Sequence, residues 1–223
     1  MSNSTPSTKV ALVGAGFIST YHLTALKLIP ETSVNAICDV AGDRAQQFAS
    51  QHGLPNSYRD LNEMMETEKP DVVHLLTPPQ THGAIAEQLL PYGADLLIEK
   101  PFSHASELCH KLQRLAQKEK VNIGVSHNFL FDPAYEKLAD DLSSGRLGKL
   151  DQLDIVWNKE LGQLKGGPFG AWMLQKPENI LFEVAPHVFA AAAHLLGGVP
   201  KEITTLPNDS IDLPGGLRFF RRW

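Results

Sequence analysis

The apolar run Val10-Ala11-Leu12-Val13 breaks at Gly14-Ala15-Gly16 and passes directly into Phe17-Ile18-Ser19. A strand cut by two closely spaced glycines and followed by a helix leaves a chain few folds to choose from. The first glycine permits a tight turn, the second lets a bound group approach the backbone, and a third small position lets helix pack on strand. Here that third position is Ser19, where Gly or Ala is usual. Unpaired N–H groups at the helix start, together with the helix dipole, attract phosphate charge. Gly14 and Gly16 are therefore expected to cradle the pyrophosphate of a dinucleotide.

The first half of the chain repeats this rhythm. Further strands are expected at Ser33–Cys38, Asp71–Leu76, Asp95–Ile98 and Val121–Val125. Helices are expected at Ser19–Leu28, Asp43–His52, Leu61–Glu68, His82–Leu90 and Ser106–Lys118. Strands spaced by helices imply βαβ units and a parallel sheet. Right-handed crossovers then bring the strand ends to one edge, where open α/β sheets bind their ligands.

The pattern changes after Asn128. A helix over Pro133–Leu142 is closed by Gly145, a residue suited to a left-handed cap. Residues Leu150–Trp157 alternate apolar and polar, as a strand buried on one face does. A glycine-rich loop (Gly162–Gly170), an apolar helix (Asn179–Leu196) and two strand-like runs (Lys201–Leu206 and Gly216–Trp223) follow. The expected fold class is α/β, a Rossmann parallel sheet with helices on both faces, plus a C-terminal α+β domain with a mostly antiparallel sheet. The expected division is a disordered lead-in at 1–8, a dinucleotide-binding domain at 9–128 and a substrate and dimerisation domain at 129–223. Because the chain stops inside the strand-like run Phe219-Phe220-Arg221-Arg222-Trp223, the second sheet reads as incomplete or in need of a partner.

Composition excludes several function classes. With 43% hydrophobic and 20% charged residues in 223, the chain reads as an ordinary soluble globular protein. A formal net charge of −5 argues against a nucleic-acid surface, which wants a basic face. Two cysteines, Cys38 and Cys109, make neither a disulfide framework nor a zinc cage. The polar stretch MSNSTPSTK has no apolar signal-peptide core, and no apolar run approaches the roughly 18 residues of a membrane helix. A cytoplasmic protein with reduced thiols and no membrane partner is expected.

Three further features converge on the sheet edge. Asp39 ends the second expected strand, where a carboxylate accepts hydrogen bonds from the adenine-ribose hydroxyls and repels a 2′-phosphate. NAD is thus favoured over NADP, although Arg44 lies near enough to blur the preference, and Asp39 as a mere helix cap is the alternative. Thr77-Pro78-Pro79 makes a rigid turn at the end of another strand. The run Ala94–Pro101, ADLLIEKP, ends an apolar strand in Glu99-Lys100-Pro101 and puts an ammonium at the same edge. Alone, that tip reads as a solvated strand end; beside the glycine turn it becomes the junction of cofactor and substrate. Pro101 is expected to be cis.

With these residues in that order and spacing, the chain from Lys9 onward resembles the Gfo/Idh/MocA oxidoreductases (glucose-fructose oxidoreductase, inositol dehydrogenase and relatives). The resemblance implies cofactor contacts from Gly14, Gly16, Phe17, Ile18 and Asp39, and from Thr77, Pro78, His82, Glu99 and Lys100. The family usually carries an acidic residue and, four positions later, a histidine on a helix after the glycine-rich loop; Glu183 and His187 match them. Lys100 would then hydrogen-bond the reacting hydroxyl, His187 accept its proton, and Glu183 orient substrate or imidazole. Asn128 and Trp172 would line the substrate pocket. Ala190 stands where the family often has an aspartate, and Pro186 is expected to kink the helix. Glu183, His187 and His194 share a helix face, but no further ligand at convincing spacing joins them, so no metal is expected.

The expected function is an NAD(P)-dependent oxidoreductase that moves a hydride between nicotinamide and a secondary alcohol of a sugar, cyclitol or nucleotide-sugar. A dinucleotide-binding fragment without turnover is the alternative, and an imine or open-chain tetrapyrrole reductase on the same fold is a third reading. The expected partners are a small polyol or sugar and a second copy of the chain through the C-terminal sheet.

Overall fold

The structure is a computed structural model that describes residues 7–103, 105–156 and 177–202. The chain divides into two compact units, the first ending at Ser126 and the second beginning at His127.

The first unit is built on one sheet of six parallel strands. These are β1 (Thr8–Val13), β2 (Thr32–Cys38), β3 (Asn56–Tyr58), β4 (Val72–Leu75), β5 (Asp95–Glu99) and β6 (Ile123–Ser126). Their order across the sheet is β3-β2-β1-β4-β5-β6. The chain winds outward from β1 to β3, then restarts on the other side of β1 and winds outward from β4 to β6. A crevice opens where the winding reverses, at the carboxyl ends of β1 and β4. Val13 pairs with both Cys38 and Leu75, Leu75 pairs with Ile98, and Glu99 pairs with Ser126. The residues that follow these strands therefore share one edge.

Five helices cover the sheet: α1 (Phe17–Leu26), α2 (Gly42–His52), α3 (Leu61–Glu68), α4 (Pro79–Leu89) and α5 (Ser106–Glu119). Because successive strand side chains point to opposite faces, each strand feeds two cores. Ala11, Val13, Val73, Leu75, Leu96 and Ile98 pack with residues of α3, α4 and α5. Val10, Leu12 and Ile37 turn the other way, onto Leu23 and Leu26 of α1 and Phe48 of α2. Leu12, Ile37, Leu75, Leu89, Ile98 and Leu112 have no exposed surface, and each such side chain contributes about 1.5–3 kcal/mol.

Helix ends follow local chemistry. Gly16 (φ −89°, ψ −175°) is itself the N-cap of α1, so the helix starts at Phe17, two residues earlier than expected. Pro79 fills the first position of α4, where its missing N–H costs nothing, and that helix too starts early. Gly53 closes α2 in the left-handed conformation (φ 70°). Strand β1 starts at Thr8, inside the expected lead-in. Strand β3 has no counterpart among the expected elements, because three residues at a sheet edge are too few to show a period.

In the second unit a short 3-10 turn (Asn128–Phe131) leads to α6 (Pro133–Ser143), and α7 spans Pro177–Leu196. Asp132 caps α6 by accepting from the backbone N–H groups of Ala134 and Tyr135. Gly145 follows at φ 76°, as its position predicted. The Tyr135 hydroxyl donates to the Ala191 carbonyl (3.1 Å) and lies 2.9 Å from His194 Nδ1, fastening α6 to α7. Pro186, the position expected to kink the helix, lies inside α7.

The alternating segment 150–156 carries no strand. Alternation makes a segment competent to pair, but its backbone groups need a neighbouring strand to bond, and among the described residues of this unit none provides one. The segments expected at Gly162–Gly170 and Gly216–Trp223, and most of Lys201–Leu206, lie outside the described residues, as do Trp157 and Trp172. Among the described residues, no helix is long and apolar enough to cross a membrane.

Candidate dinucleotide and catalytic site

The glycine turn is fixed by two contacts that only its own residues can make. Gly14 sits at φ 102°, and a Cβ there would meet the Leu76 carbonyl oxygen at 2.8 Å and its carbon at 2.9 Å. The turn after β1 thus lies directly against the end of β4. Ser19 is fully buried and its hydroxyl donates to the Gly14 carbonyl at 2.6 Å. The departure from Gly or Ala at that position is therefore a hydrogen bond that ties the helix back to the turn. At Gly16 the geometry is the reverse, since a Cβ would find nothing within 4 Å. The backbone there faces open space at the N-terminus of a ten-residue helix, an arrangement open to phosphate.

Asp39 is buried (8% exposed), and its carboxylate has three donors around it. Oδ2 accepts from the Ala15 N–H at 2.9 Å, and Oδ1 accepts from the Ala41 N–H at 2.8 Å and the Arg44 guanidinium at 3.0 Å. Asp39 thus braces the glycine turn across the gap between β1 and β2. Exposed apolar side chains stand beside these groups, Phe17 next to Gly16 and Val40 next to Asp39. Cys38, one residue before Asp39, is buried, and burial together with the charges of Asp39, Asp60 and Glu63 pushes its thiol up to about 12. It is an unreactive thiol at neutral pH.

Thr77, Pro78 and His82 lie at the end of β4 and the start of α4. The Thr77 hydroxyl accepts from Thr81 at 2.8 Å, which pins the first turn of the helix. His82 has no exposed surface. Its Nε2 lies 2.8 Å from the Thr77 carbonyl oxygen and its Nδ1 lies 3.0 Å from that of Pro101. The ring joins the two turns that follow β4 and β5, and any bearing it has on a ligand passes through them.

Glu99 and Lys100 end β5, and the Lys100–Pro101 peptide is cis, as expected. Glu99 turns inward and its Oε1 lies 2.9 Å from His22 Nε2. Burial alone would raise this carboxyl, but hydrogen bonds from His22 and Ser126, with the Lys100 charge nearby, hold the group below its ordinary value. His22 Nδ1 lies 3.0 Å from His74 Nδ1 in turn. Neither histidine is among the residues that the sequence singles out. Their signals are a polar residue inside the apolar run VVHLL and another one turn after Ser19 on α1.

In the second unit His187 is buried at 8% exposure, and its ring meets that of Phe129 edge-on with centroids 4.6 Å apart. Glu183 lies one turn earlier on the same helix face. Asn128 opens the short turn that packs against α7 and is exposed. His187, Glu183 and the Asn128 turn are thus neighbours within this unit, while His194 is engaged with Tyr135. Trp172 lies outside the described residues. Among the described residues, no group of three His, Cys, Asp or Glu side chains is placed to hold a metal ion.

Comparison with known proteins gives consistent results. The Gfo/Idh/MocA family model, described as an oxidoreductase family with an NAD-binding Rossmann fold, matches residues 8–127. An uncharacterized oxidoreductase of Synechocystis sp. is 30% identical over 196 residues, covering 86% of this chain and 52% of that protein. The scyllo-inositol 2-dehydrogenase (NAD(+)) of Bacillus subtilis is 26% identical over 199 residues, covering 89% of this chain and 56% of its own. An oxidoreductase from Agrobacterium radiobacter, crystallised with NAD+, L-tartaric acid and magnesium, shares the fold with a TM-score of 0.74 at 21% identity, over 86% of this chain and 55% of its own. The chain spans about half the length of the curated relatives it matches.

Proposed function

The chain belongs to the Gfo/Idh/MocA oxidoreductase family, and from that membership we propose that it is an NAD-dependent dehydrogenase acting on a secondary alcohol of a sugar, cyclitol or nucleotide-sugar. The observation that carries this reading is the convergence of the glycine turn, the Thr77 turn and Lys100 on one sheet edge, at the switch in winding. The residues there suit a dinucleotide. Gly16 leaves room against a helix N-terminus for a pyrophosphate, and Asp39 places a carboxylate where ribose hydroxyls would bind. Val40 and Phe17 offer apolar surface to flat rings.

Gly16, Asp39 and the Thr77 turn would hold NAD, which would supply a hydride acceptor for the carbinol carbon. Lys100 holds the substrate hydroxyl by donating to its oxygen. His187 accepts the hydroxyl proton as the carbon–oxygen double bond forms, and Glu183 orients the imidazole or a neighbouring hydroxyl. Asn128 and Trp172 line the pocket. The substrate class rests on the name of the B. subtilis relative together with the polyol-suited pairing of a cationic donor and a histidine base.

The experiment is to mix the purified chain with NAD and a panel of inositols and sugars and to follow nicotinamide absorbance. Lys100→Ala and His187→Ala are each expected to lower kcat by about a hundredfold or more, with NAD affinity held within a few-fold in His187→Ala. Turnover unchanged in both variants refutes the assignment. A second reading, dinucleotide binding without turnover, rests on the first unit alone holding the glycine turn, Asp39 and the Thr77 turn. Calorimetric NAD binding with no oxidation across the panel would select it.

A further inference from the structure

His74, His22 and Glu99 make a buried polar chain behind the Lys100 tip. Strand alternation places it: Val73 and Leu75 of β4, like Leu96 and Ile98 of β5, face the core under α3, α4 and α5. His74 and Glu99 therefore turn to the opposite face, the one covered by α1, and His22 of α1 comes between them. His74 is 8% exposed, and the His22 and Glu99 side chains are 11% and 12% exposed. Ser126 of β6, paired with Glu99 across the sheet, adds a hydroxyl to the same carboxylate.

The direction of the chain follows from what each group can do. An ionised carboxylate only accepts, so His22 donates to it from Nε2. A His22 with that single ring proton presents a lone pair at Nδ1, so His74 donates to it from its own Nδ1 across the 3.0 Å contact, whereas a doubly protonated His22 would donate both ways. We propose that His22 is a positioning residue whose tautomer is fixed by His74, and that by donating to Glu99 it keeps that carboxylate charged next to Lys100 in the sequence. This rests on the reading of Lys100 given above.

The titratable groups acting on His74 are His22 and Glu99, and those acting on Glu99 are His22 and Lys100. Burial, the largest cause, brings His74 down to about 4 against the opposing pull of Glu99. His74 therefore stays neutral across the working range, and a neutral His74 has a single ring proton to place. Beside a singly protonated His22, a proton placed on Nε2 instead would set two bare Nδ1 atoms against each other.

The test uses the full chain without cofactor, labelled with 15N-histidine and 13C-glutamate. Signals are assigned with His74→Asn and Glu99→Gln. At pH 7, His74 is expected in the Nδ1–H form and His22 in the Nε2–H form. His22→Leu is expected to raise the Glu99 titration by about one pH unit or more, a tenfold change in protonation. His22→Gln, whose amide N–H can stand in for Nε2–H, is expected to leave it nearly unmoved. His74 found as Nε2–H in the unaltered chain, or Glu99 titrating alike in both His22 variants, overturns the proposal. Should His22→Leu fail to fold, the tautomers of the unaltered chain and the Glu99 titration in His22→Gln still decide. Both signatures in a chain without turnover support the relay and refute only the dehydrogenase reading. Turnover lost in Lys100→Ala alongside an Nε2–H His74 refutes only the relay.

Discussion

Gly14 and Gly16 stand two positions apart in one turn and are glycine for different reasons. Gly14 needs both a positive φ and the absence of a Cβ, because a Cβ would lie 2.8 Å from the Leu76 carbonyl oxygen, well inside van der Waals contact. Gly14→Ala is expected to cost about 2 kcal/mol from the backbone conformation alone, visible as a Tm lowered by roughly 4–8 °C. Gly16 has an extended backbone and open space around it, so Gly16→Ala should leave the Tm within about 1–2 °C while weakening NAD binding by roughly tenfold or more, a factor of about 1.4 kcal/mol. Equal losses of stability in the two variants would contradict this division. His74 gives a pH signature at the same scale. Its ring titrates at 6.5 when free in solvent and about 4 in the fold, so between those values the unfolded chain binds a proton that the native chain does not. Stability contributed by the neutral ring is complete above about pH 6.5 and lost as pH falls toward 4, on the order of 3 kcal/mol in all. Urea midpoints at pH 4.5 and 7.5 should differ less in His74→Asn than in the unaltered chain. Gly14, Asp39 and Lys100 are legible in the sequence because spacing along the chain marks them. The His74–His22–Glu99 chain is not, since it joins three elements 77 positions apart at the extremes and leaves no local pattern.

Elements are readable where length and period are sufficient. Helix α3 falls on its expected residues, capped by Asp60 accepting from the Glu63 N–H, and α5 differs from expectation by one residue. Helices α1 and α4 start two and three residues before their expected positions, because a glycine and a proline that look like loop residues serve there as cap and first turn. Residues 150–156 show the converse, a correct period without the pairing that would turn it into a strand. How closely two helices approach is invisible in the sequence. A Cβ at Gly83 of α4 would overlap Leu108 Cδ2 of α5. Gly83→Ala should therefore destabilise by about 1–3 kcal/mol through overpacking, although alanine favours a helix. Gly83→Ala combined with Leu108→Ala should cost less than the two changes summed, as chemical denaturation of the four-member cycle would show. Strict additivity would mean that the two helices do not meet there.

At the scale of the molecule, residues 1–126 contain the whole six-stranded sheet, both of its cores and the glycine turn. That segment expressed alone is expected to melt cooperatively and to bind NAD within about tenfold of the full chain, a difference of about 1.4 kcal/mol. Calorimetry on the two proteins checks this, and an unfolded segment would show that the second unit is needed for folding. The strand order also sets a schedule for synthesis. β1 can pair with β2 once the first 38 residues have emerged, but its other edge waits for Val72–Leu75, a closure spanning 62 residues that is sealed by the Lys9 N–H and the Asp71 carboxylate. Long closures are slow because loop entropy is lost before contacts repay it. Until the Leu76 carbonyl arrives beside Gly14, the nascent chain has a glycine turn with nothing opposite it and an open strand edge at its centre. The moment of greatest exposure on the ribosome is therefore the interval in which residues 39 to 75 are made, and the cofactor crevice and the protection of β1 are completed by the same event.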